Sequence, residues 1–306
     1  NKSIFIAGHN GMVGKATLNE LKLKSNKIYT IDKKKLDLRD EYSVAKWFEK
    51  NQPQVVINAA AMVAGIHANN IFPVDFLENN LRIQNNIIKC SYNSGVEKLL
   101  FLGSSCIYPK ECLQPIKEEY LFTGKLEPTN EWYAIAKLAG IKLCEAYQKQ
   151  YDCNYISLIP TNLYGVNDNF HPLYSHVPAA LIRRFHEAKV NNLKSVSVWG
   201  TGNPRREFMH VSDLAKAITF MLEYYSSEKP INIGTGLDVS IHDFAKLISQ
   251  IVDYKGQIIF DHSKPDGMQL KKLDISKATS IGWHPQIDLN DGLKNTYEWA
   301  LKNIFI

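Results

Sequence analysis

The first fourteen residues narrow the choice of folds more than any other stretch. Ser3-Ile4-Phe5-Ile6-Ala7-Gly8 is a short apolar run ending in glycine, which reads as a buried parallel strand. Gly8-His9-Asn10-Gly11-Met12-Val13-Gly14 follows, and then apolar residues at helical spacing through Leu18, Leu21 and Leu23. Strand, glycine turn and helix in that order are the context of a GxxGxxG motif in a Rossmann-type half. There the glycines permit close backbone approach, and the helix N-terminus faces a pyrophosphate. Gly8, Gly11, Met12, Val13 and Gly14 are therefore candidate cofactor contacts.

Lys27–Ile31 reads as the second strand, with Asp32 at its end. An acidic residue there accepts from adenosine ribose hydroxyls and disfavours a 2′-phosphate. Lys33, Lys34 and Lys35 come next and could hold such a phosphate, so the two signals oppose each other. Leu36-Asp37-Leu38 reads as a third short strand, with Asp37 a candidate for the adenine edge. A helix over 41–51 leads to a strand over Gln54–Ala61. Ala59 and Ala60 at its end either let a dinucleotide lie close or simply pack. An Asn-rich helix (74–94) and a strand (Lys98–Gly103) follow, running into Ser104-Ser105-Cys106-Ile107-Tyr108-Pro109. Such alternation predicts an α/β fold, a doubly wound parallel sheet with right-handed crossovers and ligands at the carboxyl ends of its strands. Ser104 and Cys106 fall there.

Tyr133 and Lys137 stand four apart in Asn130-Glu131-Trp132-Tyr133-Ala134-Ile135-Ala136-Lys137, so on a helix they share one face. A phenol titrating near ~10 is a poor proton donor at neutral pH, and an ammonium one turn away should pull it toward the working range. After a strand at Tyr155–Pro160 and Thr161-Asn162-Leu163-Tyr164-Gly165 the alternation loosens. A helix then carries Arg183, Arg184 and His186, and Trp199–Phe208 reads as a turn-rich basic segment. A helix from about Val211 and a strand near Ile231–Gly234 return to the first part. The tail, 238–306, shows two helices and a short strand at 257–260. This divides the chain into 1–165, with parts of 208–235 returning, and a smaller C-terminal α/β substrate-binding part made of 166–207 and 236–306.

The 306 residues, 45% hydrophobic and 22% charged, have the composition of a globular enzyme. No apolar run is long enough to span a bilayer and no signal-peptide pattern opens the chain, so no membrane partner is expected. Beginning at Asn1, the chain implies an initiator methionine or short leader upstream. Five cysteines without CxxC pairs indicate a reducing cytoplasm and no metal site. A net charge of +5 and one short lysine run give no case for nucleic acid.

On these residues the chain resembles the extended short-chain dehydrogenase/reductases, and within them the GDP-4-keto-6-deoxymannose epimerase/reductase family. The specific stretches are GHNGMVG, FLGSSCIYPK, LEPTNEWYAIAKLAGIKLCE, NIGTG and SKPDG, together with the SHV and RRFHEA segments. The resemblance implies that Tyr133 protonates the C4 oxygen of a GDP-linked 4-keto sugar as hydride reaches C4. Lys137 holds the nicotinamide ribose, and Ser104 donates to the same oxygen. Cys106 and His176 are the implied acid/base pair at C3 and C5, with His176 also near the cofactor. Ser105, Asn162, Arg184, Trp199, Arg206 and Asp266 are the implied substrate contacts. NADP(H) is the implied cofactor and a homodimer the implied assembly. The family has a basic residue where Asn10 sits and a neutral one at Asp32, which leaves NAD(H) as the alternative. Met62-Val63-Ala64-Gly65 stands where Lys-Val-Gly-Gly is usual, and Met268-Gln269-Leu270 where Thr-Pro-Arg is expected. A different GDP-sugar, such as a 4-keto-heptose reduced without epimerisation, is the second reading. A non-catalytic dinucleotide sensor is the third.

Overall fold

The computed structural model describes residues 2–23, 27–264 and 266–306; Pro265 of the SKPDG stretch lies outside them. β1 (Ser3–Ala7) runs into the glycine turn and α1 (Met12–Lys22) leaves it. β2 (Lys27–Tyr29), α2 (Glu41–Asn51), β3 (Val55–Asn58), α3 (Ile66–Ile71), α4 (Pro73–Asn93) and β4 (Lys98–Leu102) follow. Next come α5 (Glu131–Tyr151), β5 (Asn154–Pro160), β6 (Asn162–Tyr164), α6 (Val177–Val190), β7 (Ser195–Trp199) and β8 (Arg205–His210). α7 (Val211–Tyr224), β9 (Ile231–Ile233), β10 (Asp238–Ser240), α8 (Ile241–Val252) and β11 (Gln257–Asp261) lead to the last elements. These are β12 (Leu270–Lys271), α9 (Ser276–Ser280) and α10 (Leu289–Asn303).

The larger sheet has the order β2-β1-β3-β4-β5-β9 with every neighbour parallel. Successive side chains point to opposite faces. Phe5, Val56, Leu99, Phe101 and Tyr155 enter one core with residues of α2, α4 and α5. Ile4, Ile6, Ile57, Leu100 and Leu158 enter the other with residues of α1 and α7. Helices cover both faces, which is why these strands are apolar throughout rather than alternating. From β1 the chain moves outward to β2 and then returns past β1 to β3, so the order reverses between β1 and β3. That reversal opens a crevice at the carboxyl ends of the two strands.

The remaining strands gather round β8, which pairs with β6 and β12 in parallel and with β10 antiparallel, while β7 pairs with β11. Phe185, Val198, Phe208, Phe244 and Leu293 form a third core among them. Several elements differ from expectation. Leu36-Asp37-Leu38 is not a strand: the Asp32 carbonyl accepts from the Lys35 and Leu36 amides, and the chain turns. The second strand stops at Tyr29, and Gln54–Ala61 is a strand only over Val55–Asn58. The turn-rich basic segment contains β8, whose pairing on both edges outweighs its arginines. β10, β12 and α3 are too short to give a periodic pattern. Among the described residues no helix is long and apolar enough to cross a membrane.

Candidate active site

The cofactor end is shaped by two glycines. At Gly8 φ is 84°, and a Cβ would lie 2.7 Å from the Ala60 Cα, so only glycine lets the turn close on Ala59 and Ala60. A Cβ on Gly14 would meet the Gly8 carbonyl oxygen at 2.1 Å, so glycine is needed for α1 to start beneath the turn. Gly11, the N-cap of α1, has no side-chain cap, so the first amides of the helix, at Met12 and Val13, stay open to an anion. Asp32 lies beside this turn, its Oδ1 accepting from Asn10 Nδ2 at 2.6 Å. Lys33 is exposed. Asp37 is wrapped by Arg39, whose Nε and Nη2 donate to it at 2.9 and 2.6 Å and hold its carboxyl at about 2. The Leu38 carbonyl accepts from Asn86 Nδ2.

The reacting end lies where β4 stops and α5 begins. Ser104 caps a single 3₁₀ turn, its Oγ accepting from the Cys106 amide at 3.4 Å. α5 is drawn onto β4 by Gly140, where a Cβ would stand 2.3 Å from the Phe101 ring. This close packing carries Lys137 into the interior, 4% exposed, with Nζ donating to the Leu102 carbonyl at 2.8 Å. Burial draws its ammonium down to about 8. Tyr133, one turn earlier, meets Ser104 and Cys106. Burial raises its phenol above the ordinary value, the Cys106 sulfur adds to this, and the Ser104 hydroxyl offsets part of it. The lowering of Tyr133 by Lys137 expected from their spacing is therefore overturned. The ammonium is committed to Leu102, 5.8 Å from the phenol ring centre, and desolvation dominates.

Cys106, 9% exposed, has a thiol pushed up by burial, with Lys271, Ser104 and Lys137 pulling the other way. Lys271 on β12 was not picked out from the sequence. Its two-residue strand has no periodicity, and only the register opposite Arg206 on β8 carries it into the cleft. His176 begins α6 beside the same lysine. As a residue it is exposed, but its ring is crowded by the cleft walls, and desolvation followed by Lys271 lowers its pKa. The loop before it packs on Gly65, whose amide donates to the Tyr174 carbonyl at 3.1 Å and whose Cβ would strike the Ser175 oxygen at 2.9 Å. The structure thus brings Ser104, Cys106, Tyr133 and Lys137 together and joins His176 to them through Lys271. Ser105 is 4% exposed, so little of it can meet a ligand.

A polar arm extends away from this centre. Arg184 and Lys264 flank Trp199, their charges 5.6 and 5.7 Å from its ring centre, and the indole is 59% exposed. Asp266 accepts from the Thr201 amide and hydroxyl at 2.6 and 2.8 Å, while Arg206 Nη2 donates to the Asp266 carbonyl at 3.4 Å. Asn162 donates to the Glu207 carbonyl at 2.8 Å. The wholly buried Glu207, also not singled out from the sequence, is the structural pin. Its carboxylate accepts from the amides of Thr235, Gly236 and Leu273, fixing β8 against the segment that follows Lys271. Arginines and an aromatic plate at one end, with a thiol, a phenol and an imidazole at the other, suit an anionic, ring-bearing ligand whose far end reacts.

Comparison with known proteins shows the family and the fold. The profile of the NAD dependent epimerase/dehydratase family matches residues 4–234. The chain is 53% identical over 302 residues to a putative GDP-L-fucose synthase 2 of Arabidopsis thaliana, covering 98% of this chain and 92% of that one. Among solved structures, a GDP-6-OMe-4-keto-L-xylo-heptose reductase from C. jejuni superposes with TM-score 0.93 at 37% identity, over 99% of this chain and 98% of that one. A GDP-L-fucose synthetase from Naegleria fowleri bound to NADP gives TM-score 0.91 at 30% identity, over 99% and 95%.

Proposed function

The chain belongs to the NAD dependent epimerase/dehydratase family and, within it, to the GDP-L-fucose synthases, and from this we propose that it is a 3,5-epimerase/4-reductase of a GDP-4-keto-6-deoxy sugar. Its substrate is GDP-4-keto-6-deoxy-D-mannose and its product GDP-L-fucose. The observation that carries this reading is the meeting of the Ser104 hydroxyl, the Tyr133 phenol and the Cys106 thiol where β4 ends.

A C4 ketone acidifies the C–H bonds at C3 and C5, because the resulting negative charge spreads onto its oxygen. Ser104 and Tyr133 donate to that oxygen. They stabilise the enolate during epimerisation and the alkoxide during reduction, so one oxyanion site serves both steps. Inversion needs a proton acceptor on one face of the sugar and a donor on the other. His176, its pKa lowered, offers a neutral imidazole, and Cys106, its pKa raised, keeps a proton to give. Tyr133 holds its proton at neutral pH and releases it to the C4 oxygen as that oxygen gains charge. A bound nicotinamide dinucleotide supplies the hydride to C4. Lys137 holds the nicotinamide ribose and balances the phenolate left behind. Arg184 and Arg206 fork onto the diphosphate, Trp199 and Asp266 meet the purine, and Asn162 lines the path of the sugar. Residues 166–207 and 236–306 form the GDP-sugar part. The family resemblance adds a homodimer and a cytoplasmic location.

The heptose reductase likeness supports the second reading, C4 reduction alone, but at 37% identity against 53% it is the weaker case. Incubation with GDP-4-keto-6-deoxy-D-mannose in deuterated water without dinucleotide separates the two. The wild type should take up deuterium at C3 and C5, and Cys106→Ser should stop that uptake. Absence of label from the wild-type product would leave only the reductase.

A further inference from the structure

We propose that the adenosine end of the cleft is built for a free ribose 2′-hydroxyl and that Asp32 makes this chain prefer NADH to NADPH. The inference rests on the dinucleotide reading above and concerns the end of the cofactor remote from the chemistry. Asp32 follows β2 at the carboxyl edge of the sheet, next to the crevice where the strand order reverses. Its carboxylate is oriented by the glycine turn itself: Asn10 Nδ2 donates to Oδ1 at 2.6 Å, and His9 Nε2 lies 3.6 Å from the same oxygen. The second carboxylate oxygen keeps its lone pairs for a ribose diol, which offers two donors. A 2′-phosphate at that point would set two anions face to face.

The cations that could offset this repulsion are committed or solvated. Arg39 gives Nε and Nη2 to Asp37 and Nη1 to Asn79 Oδ1 at 3.0 Å, so its charge is already paired with a carboxylate. Lys33 lies close enough to Asp37 to act on its carboxylate. Lys34 and Lys35 are exposed, and the Lys35 amide closes the turn back onto the Asp32 carbonyl. Among the described residues, the charge anchored against the glycine turn is the carboxylate of Asp32.

Calorimetric titration of the whole protein with NADH, NADPH, 5′-AMP and 2′,5′-ADP tests this without turnover. NADH should bind more tightly than NADPH, and 5′-AMP more tightly than 2′,5′-ADP. Asp32→Ala and Asp32→Asn should each move the NADH-to-NADPH ratio toward NADPH by about tenfold. Tighter binding of NADPH by the wild type, or a ratio that both variants leave in place, would overturn the inference while the dinucleotide site stands. Binding of neither dinucleotide would overturn both. Asp32 is exposed, so these variants are expected to fold.

Discussion

Tyr133 shows how a candidate catalytic side chain can be legible by its place and still be misread in its chemistry. The four-residue spacing to Lys137 is visible in the chain, but the pKa direction is not, because it depends on what surrounds both groups after folding. Desolvation raises the phenol, and Lys137 turns to the Leu102 carbonyl. A protonated donor in contact with Ser104 gives a sharp expectation. Tyr133→Phe should lower the rate of hydride transfer by at least about a hundredfold, the usual weight of a positioned acid. Dinucleotide affinity should stay nearly constant, because the hydroxyl is removed but the ring remains. Single-turnover oxidation of the reduced dinucleotide, with a parallel binding titration, measures both. An unchanged rate would take Tyr133 out of the proton-transfer role.

Among the elements, the pair α5 and β4 matters most, because it brings Tyr133 and Lys137 to Ser104 and Cys106. Their approach depends on Gly140, which faces Phe101 in the core, and the space for a side chain is absent. Gly140→Val should therefore lift the helix from the strand and lower stability by about 2 kcal/mol or more, as overpacking of a core does. Thermal unfolding and turnover should fall together, since Lys137 lies one turn away on the same helix. Wild-type melting would show that α5 can settle without close contact. The glycine is plain in the chain, but a helix-interior glycine reads there only as a weak point. β12 is the opposite case, since Lys271 was found only through its pairing beside Arg206.

For the whole molecule, burying Lys137 ties the proposed site to folding. Its pKa falls from the ordinary 10.5 to about 8 in the folded chain. Between those values the unfolded chain holds more protons, so stability rises with pH across that window. The burden on folding is therefore full below about pH 8 and gone above about pH 10.5. Urea unfolding of wild type and Lys137→Met should show the difference moving in favour of the variant by up to about 3 kcal/mol from pH 10.5 to pH 7. A pH-independent difference would mean that the ammonium is not desolvated. By itself the sequence determined the parallel sheet, the glycine turn, the strand–helix alternation of the first part, and the placing of Ser104 and Cys106 after a strand and of Tyr133 and Lys137 on one helix. Each of these follows from local spacing: apolar periods, glycine tolerance, one turn of helix. Tertiary structure alone decided that Leu36–Leu38 turns, that β8 is a central strand, that Lys271 enters the cleft, that Glu207 is buried beneath the amides of Thr235, Gly236 and Leu273, and which way the pKa values move. Those outcomes depend on pairing between distant strands and on exclusion of water, and neither is encoded in the neighbours of a residue along the chain.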